Sequence, residues 1–321
     1  MNNKPLVTIL LPVYNVEGFL PQCIESLIYQ TYTHLQIVLI DDGSKDRSWQ
    51  IMQEYAEKDS RIEIYHQENQ GVAVTRNHLL EKVKGDYVLF VDSDDWVELD
   101  MVEFLVTKNL EHDADVAICS HVINDSPVSS FNDEQLLDQE TAIKQFLIHK
   151  DLKGSLFTKL VKNSLLHNLT FNPCISYGED ALFCWHFFQK AQKIVVTDRK
   201  LYHYRMNTSS ISHQSFGDKK LTGHLTWSII TEETSKLWPQ YLDIAKARWG
   251  MEDMYLLRQA AQSNYPCDNS IKELQQTVKR FLPQMKKTEL LKGKEVLNAN
   301  IMCRWYWYGF LYNKLHQILK Q

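Results

Sequence analysis

Glycine and proline are scarce, at 11 and 8 of 321 residues. With 36 aromatic residues beside them, that scarcity excludes collagen-like and low-complexity disordered chains. Cysteine is sparse too. The six (Cys23, Cys119, Cys174, Cys184, Cys267, Cys303) lie far apart, and no CxxC pair occurs. Such spacing offers neither a zinc site nor a disulfide framework, and it predicts reduced thiols in a cytoplasmic protein. Long apolar runs are missing: the first stops at Pro12, short of a signal peptide, and none approaches the ~18 residues of a membrane span. Net positive charge is absent as well. At −5 overall, the chain is not expected to bind nucleic acid by neutralising phosphates.

What is present fits a soluble globular protein of two domains, or one large α/β domain with an appendage: 44% hydrophobic and 23% charged residues. The charge is unevenly spread. Residues 279–321 carry nine Lys/Arg against two Glu, so the remainder carries 26 basic against 38 acidic residues. An acidic body ends in a basic tail.

Near-continuous apolar runs at residues 6–11, 35–40, 62–65, 87–91 and 116–119 read as strands buried on both faces of a parallel sheet. Helical patterns separate them, one with Phe19, Cys23, Leu27 and Ile28, another with Trp49, Met52 and Tyr55, a third with Val74, Leu79 and Val83. The alternation predicts an α/β fold with a doubly wound, mostly parallel sheet and right-handed crossovers. Residues 123–134 read as a loop or small insertion, 140–149 as a helix, 194–197 as a short strand and 207–217 as a polar loop suited to closing over a ligand. From Leu221 the patterns are helical almost to the end.

Three polar clusters sit where strand patterns end: Pro12-Val13-Tyr14-Asn15, Asp41-Asp42-Gly43-Ser44 and Asp92-Ser93-Asp94-Asp95. Each alone is an ordinary turn or helix cap. Together they lie on the edge where open parallel sheets bind ligands, and they would share one crevice. The last is the most informative. Carboxylates that repel each other are costly to hold together without a cation, and hard oxygens at alternate positions suit Mg²⁺ or Mn²⁺. No P-loop, GxGxxG, HExxH or GxSxG occurs. A metal and a diphosphate without those elements point to a nucleotide-sugar.

The chain resembles the family 2 glycosyltransferases of GT-A fold in TILLPVYN (8–15), LIDDGSKD (39–46), ENQGVAVTRN (68–77), VDSDDW (91–96), YGEDALF (177–183) and LYHYR (201–205) followed by Ser209 and Ser212. The order is kept over residues 5–213, and the last hundred residues carry no such motif. The resemblance implies a catalytic domain over 1–213, with 1–120 binding the nucleotide-sugar and 121–213 on the acceptor side, then a helical region over 214–321. It implies that Pro12, Val13 and Tyr14 line the base pocket, with Asp41 accepting from a uracil imide and Glu17 near the nucleoside. Asp42 and Gly43 would shape a turn. Gly71 would let the backbone approach the nucleotide, and Arg76 would reach the base or phosphates. Asp92 would bond the ribose and serve the metal with Asp94, Ser93 would lie among them, and Asp95 would face the donor sugar or brace the loop. Where this family often has Ala before the Arg, this chain has Thr75.

Transfer to a hydroxyl also needs one base within ~3 Å, unlike the carboxylate pair of a glycosidase. Glu179 and Asp180 at a helix start are ordinary dipole partners by position alone. The resemblance makes Asp180 the base and Glu179 its orienter or an acceptor contact. His203 is either packed among Tyr202 and Tyr204 or a third metal ligand, and Arg205 is either a diphosphate clamp or a surface ion pair. Lys159 lies in a segment that the resemblance places near the acceptor, without a role.

The implied activity is metal-dependent, inverting transfer from a nucleotide-sugar, UDP-linked by preference, to a glycan, lipid-linked or protein-linked acceptor in polysaccharide or glycoconjugate synthesis. A sugar nucleotidyltransferase is a second reading, although PVYNVEG lacks the basic, Gly-rich loop that holds a triphosphate. A non-catalytic nucleotide-sugar-binding module is a third. Tyr308, Leu311, Tyr312, Leu315, Ile318 and Leu319 form an apolar stripe beside Arg304, Lys314, Lys320, Trp305 and Trp307. That tail either lies on the inner face of the cell membrane or packs onto the C-terminal helices or a second subunit.

Overall fold

The computed structural model describes residues 4–123, 133–148, 152–206, 216–288, 290–291, 294–302 and 306. Residues 1–210 open with alternating strands and helices: β1 Val7–Val13, α1 Leu20–Ile28, β2 Leu35–Asp41, α2 Ser48–Ala56, β3 Ile62–His66, α3 Val72–Leu80, β4 Tyr87–Phe90, β5 Trp96–Val97 and α4 Met101–His112. They continue with β6 Val116–Ile123, β7 Glu134–Asp138, α5 Gln139–Ile148, β8 Lys159–Lys162, α6 Asn163–Leu166, α7 Glu179–Phe188 and β9 Lys193–Tyr204. Among the described residues four α-helices follow: α8 Asp218–Leu237, α9 Leu242–Gln262, α10 Asn269–Lys287 and α11 Lys294–Met302.

The strands form one nine-stranded sheet in the order β3-β2-β1-β4-β8-β6-β9-β5, with β7 pairing β9. Its first half is parallel: β1 lies between β2 and β4, with Val13 opposite Asp41 and Leu10 opposite Phe90. The apolar runs account for this half. Every residue of β2 and β4 is buried, as strands covered on both faces require. Val7, Ile9 and Leu11 pack with Leu20, Ile24 and Leu27 of α1 in the principal core, where each fully buried aliphatic side chain contributes about 1.5–3 kcal/mol.

The second half is mixed. β8 runs antiparallel to both β4 and β6, β6 is parallel to β9, and β5 and β7 are antiparallel to β9. The sequence pattern shows neither β7 nor β8, and it shows only residues 194–197 of the twelve-residue β9. The expected loop at 123–134 begins at the last residue of β6 and ends at the first of β7, and 124–132 lie outside the described residues. Among the described residues no helix is long and apolar enough to cross a membrane.

The chain divides into two compact units. The first comprises Met1–Ile143, Gly154–Pro173 and Phe183–Ser210; the second comprises Lys144–Lys153, Cys174–Leu182 and Ile211–Gln321. The second has its own core, built on Leu256, Leu257, Ile271, Leu274, Val278 and Met285.

Candidate active site

The carboxyl ends of β1, β2 and β4 are neighbours in the sheet, so the three polar clusters meet in the first unit. Hydrogen bonds join them. Asp42 N–H donates to the Val13 carbonyl at 2.8 Å, and Ser93 Oγ donates to the Pro12 carbonyl at 2.8 Å. Asn15 accepts from Lys45 N–H at 2.7 Å and donates its own N–H to Ser44 Oγ at 2.9 Å. Glu17 takes the Arg47 N–H at 2.8 Å and gives its backbone N–H to Asp46 at 2.9 Å. These bonds employ Glu17 in tying the β1 loop to the turn after β2. Tyr14 stands half exposed beside that loop.

Asp41 is fully buried, and its Oδ2 accepts from His66 Nδ1 at 2.7 Å. Asp42 is the more heavily used carboxylate. It accepts from the backbone N–H groups of Gln70 and Gly71, both at 2.9 Å, and from Gln67 Nε2 at 2.8 Å. One buried acid therefore fixes the approach to α3, whose Gly71 has φ +87°. The Asp42 carboxylate thus holds the loop before α3, while in the turn itself the Ser44 N–H lies 3.3 Å from both Asp41 oxygens.

Asp92, Ser93, Asp94 and Asp95 follow β4 directly. Arg76 on α3 reaches Asp92 Oδ1 at 3.2 Å, with its guanidinium 5.6 Å from the Phe171 ring centre. Asn77 holds that shelf: it donates to the Phe171 carbonyl at 2.9 Å and accepts Phe171 N–H at 2.7 Å. Arg76 is buried and pairs with Asp92 of the acidic turn.

Asp95 is buried and braced from both sides. Its Oδ2 accepts the Tyr202 O–H at 2.6 Å, and its Oδ1 accepts Arg205 N–H at 2.8 Å. The Tyr202 oxygen in turn accepts Asp92 N–H at 3.2 Å. Burial pushes the Asp95 carboxyl well up, and the Asp92 charge adds to it. Burial also raises Asp94. Beneath the turn, the buried Cys23 thiol donates to the Asp92 carbonyl at 3.7 Å, and burial with the three carboxylates keeps it protonated. The Arg205 guanidinium bonds Gln22 at 2.6 Å and sits 4.9 Å over Phe19.

His203 is buried and stacked on Trp96, ring centres 3.4 Å apart and nearly parallel. Its Nε2 lies 2.7 Å from Glu98 Oε1. A carboxylate only accepts, so Nε2 carries the proton and only Nδ1 has a lone pair for a metal. Among the described residues no group of three or more His, Cys, Asp or Glu side chains is placed to hold a metal ion. Asp92 and Asp94 remain two hard carboxylates on one turn, a donor set that fits Mg²⁺ or Mn²⁺ once water or phosphate oxygens complete the shell.

Glu179 and Asp180 form the first turn of α7 and belong to the second unit, after Gly178 at φ +88°. Lys159 opens β8, with Nζ donating to the Ser155 carbonyl. Residues 207–215 of the expected closing loop lie outside the described residues, as does the apolar tail stripe from Tyr308 to Leu319. Sequence reasoning passes over Tyr202, Asn77, Gln67 and Glu98 as working residues. The partners named for them above lie 25 to 110 positions away, and no local spacing signals such bonds.

Residues 8–171, about half of the chain, match glycosyl transferase family 2. The chain belongs to that family. It is 34% identical over 223 residues to glycosyltransferase GlyA of Streptococcus pneumoniae, covering 64% of this chain and 31% of GlyA. Three of the curated relatives it matches are longer, and the chain spans 31–63% of their length. Among solved structures, S. aureus TarS 1–349 in complex with UDP superposes with a TM-score of 0.65 at 18% identity, covering 96% of this chain and 92% of that one. A mannosyltransferase from Pyrobaculum calidifontis, in complex with GDP-Man and Mn²⁺, gives 0.58 at 14% identity, covering 95% and 88%. Both likenesses establish the GT-A type of fold.

Proposed function

We propose that this chain is a divalent-metal-dependent, inverting glycosyltransferase. It moves a sugar from a nucleoside-diphosphate sugar, UDP-linked by preference, to a hydroxyl of a glycan, lipid-linked or protein-linked acceptor. One observation carries the reading: a turn with three carboxylates stands where three parallel strands end, held by Arg76, Tyr202 and Arg205. Acids gathered at such expense of desolvation are matched by a cation and a diphosphate. The complexes of its structural neighbours with UDP and with GDP-Man and Mn²⁺ point the same way.

Pro12, Val13, Tyr14 and Asp41 hold the base, Glu17 stands near the nucleoside, and Asp92 bonds the ribose. Gly71 brings backbone close to the nucleotide, and Arg205 clamps the diphosphate. Asp92 and Asp94 hold Mg²⁺ or Mn²⁺, which when bound neutralises charge on the departing diphosphate; His203 joins them only through Nδ1. Asp180 takes the proton of the acceptor hydroxyl as its oxygen bonds the anomeric carbon and the bond from that carbon to the diphosphate oxygen breaks. Glu179 orients Asp180 or the acceptor. One displacement inverts the centre.

The test is Asp180→Asn. Turnover should fall about 10²-fold or more, the scale of lost general-base catalysis, while calorimetry still detects donor binding. NMR of the wild-type product should show inverted anomeric configuration. Retained configuration, or undiminished turnover in the variant, overturns the mechanism.

A further inference from the structure

The C-terminal helices carry no motif, yet α8 holds the backbone that leads into Glu179 and Asp180. The Thr222 hydroxyl accepts from the N–H groups of Ser176 at 3.1 Å and Tyr177 at 3.0 Å. It donates to the Lys219 carbonyl at 2.7 Å. A hydroxyl has one proton and two lone pairs, so every capacity is used and its direction is set. The next residue, Gly223, lies against the Tyr177 ring, and a Cβ there would sit 2.9 Å from Cδ1. One turn further, Thr226 packs on Gly178, where a Cβ would meet Thr226 Oγ1 at 3.0 Å. Gly178 also needs its φ of +88°, which L side chains rarely adopt. Lys220 lies 6.0 Å over the Tyr177 ring and donates to Gln259 of α9 at 2.9 Å. Residues 176 and 177 thus share Thr222, while Tyr177 also meets Gly223 and Gly178 meets Thr226, all within the second unit.

We propose that Thr222 is a positioning residue of the transfer reaction, acting with Gly223 to fix residues 176–178 and so the first turn of α7 with its carboxylates. The inference rests on the reading of Asp180 as the base. Neither Thr222 nor Gly223 touches substrate. Their effect is geometric: a base must come within about 3 Å of the proton, and displacement of about 1 Å can cost about 10²-fold in rate.

The experiment uses the full chain with Thr222→Val, Thr222→Ser, Gly223→Ala and Asp180→Asn. It reads kcat and donor KM by nucleoside diphosphate release, and amide hydrogen exchange over residues 174–182. Thr222→Val keeps the shape and deletes the acceptor. It should speed exchange in that segment about tenfold, the factor implied by a hydrogen bond's net worth. It should also lower kcat about 10–100-fold with donor KM within about twofold of wild type. Thr222→Ser should restore both. If Thr222→Val does not fold, Gly223→Ala carries the test, because Ala favours a helix while its methyl presses on Tyr177; the same loss of kcat at constant KM is expected. Unchanged exchange or unchanged kcat in a folded variant, while Asp180→Asn is inactive, overturns the positioning role alone. Full turnover by Asp180→Asn overturns the base and the positioning role together, and the exchange data then show separately whether the α8 contact holds the segment.

Discussion

Asp95 bears the electrostatic strain of the acidic turn, and its remedy comes from far along the chain. Burial and the neighbouring Asp92 both oppose its charge, while Tyr202, 107 positions on, supplies the O–H that supports it. An aromatic between Leu201 and His203 reads only as packing, so this role was not legible in the sequence. The carboxylates themselves were, because alternating acids after an apolar strand have few other uses. Tyr202→Phe should cost about 1–3 kcal/mol of stability, since it leaves Asp95 without its O–H donor and Asp92 N–H without its acceptor. Urea unfolding measures it, and a midpoint equal to wild type would contradict the bracing role. Arg76 makes a related case. The motif marks the residue, but only the fold shows that it answers Asp92 from a shelf made by Phe171 and Asn77.

The elements that were legible are those whose burial writes itself into a local pattern. β2 is covered on both faces and shows a continuous apolar run, whereas β8 is four residues with Lys at each end, and its identity comes from the antiparallel partners β4 and β6. β9 hides behind its polar middle, Asp198, Arg199 and Lys200, of which Asp198 is exposed and the other two are half-buried. Helices α8 and α9 carry a testable polar pair, His224 Nδ1 with Asp253 Oδ2 at 2.7 Å, and Glu273 lies 3.7 Å from Nε2. Burial pushes Asp253 up to about 6. Burial opposes the His224 charge, but the Asp253 bond and charge outweigh it and raise that pKa. In both groups the folded chain binds protons more tightly than the unfolded one. Their stabilisation is therefore present at low pH and lost as pH rises through about 6 and then through the raised His224 value. Urea midpoints should fall as pH rises from about 4 through about 6, the Asp253 window, and fall further above the ordinary imidazole range as His224 deprotonates, and Asp253→Asn should flatten that slope. A wild-type slope unchanged in the variant would contradict the assignment.

At the scale of the molecule, family membership and the GT-A type of fold agree with the motif order read from residues 5–213. That residues 144–153 and 174–182 belong with the C-terminal helices was not legible, because they join them through contacts such as those of Thr222, which leave no periodic trace. The central claim is that the turn after β4 works through a divalent cation on a nucleotide-sugar. The most direct test is a screen of nucleotide-sugars for UDP or GDP release, with Mn²⁺, with Mg²⁺ and with excess EDTA, comparing the wild-type chain and Asp94→Asn. The account predicts metal-dependent release from one donor class by the wild type, and none with EDTA or from the folded Asp94→Asn chain. Undiminished release in EDTA, or by Asp94→Asn, would contradict it.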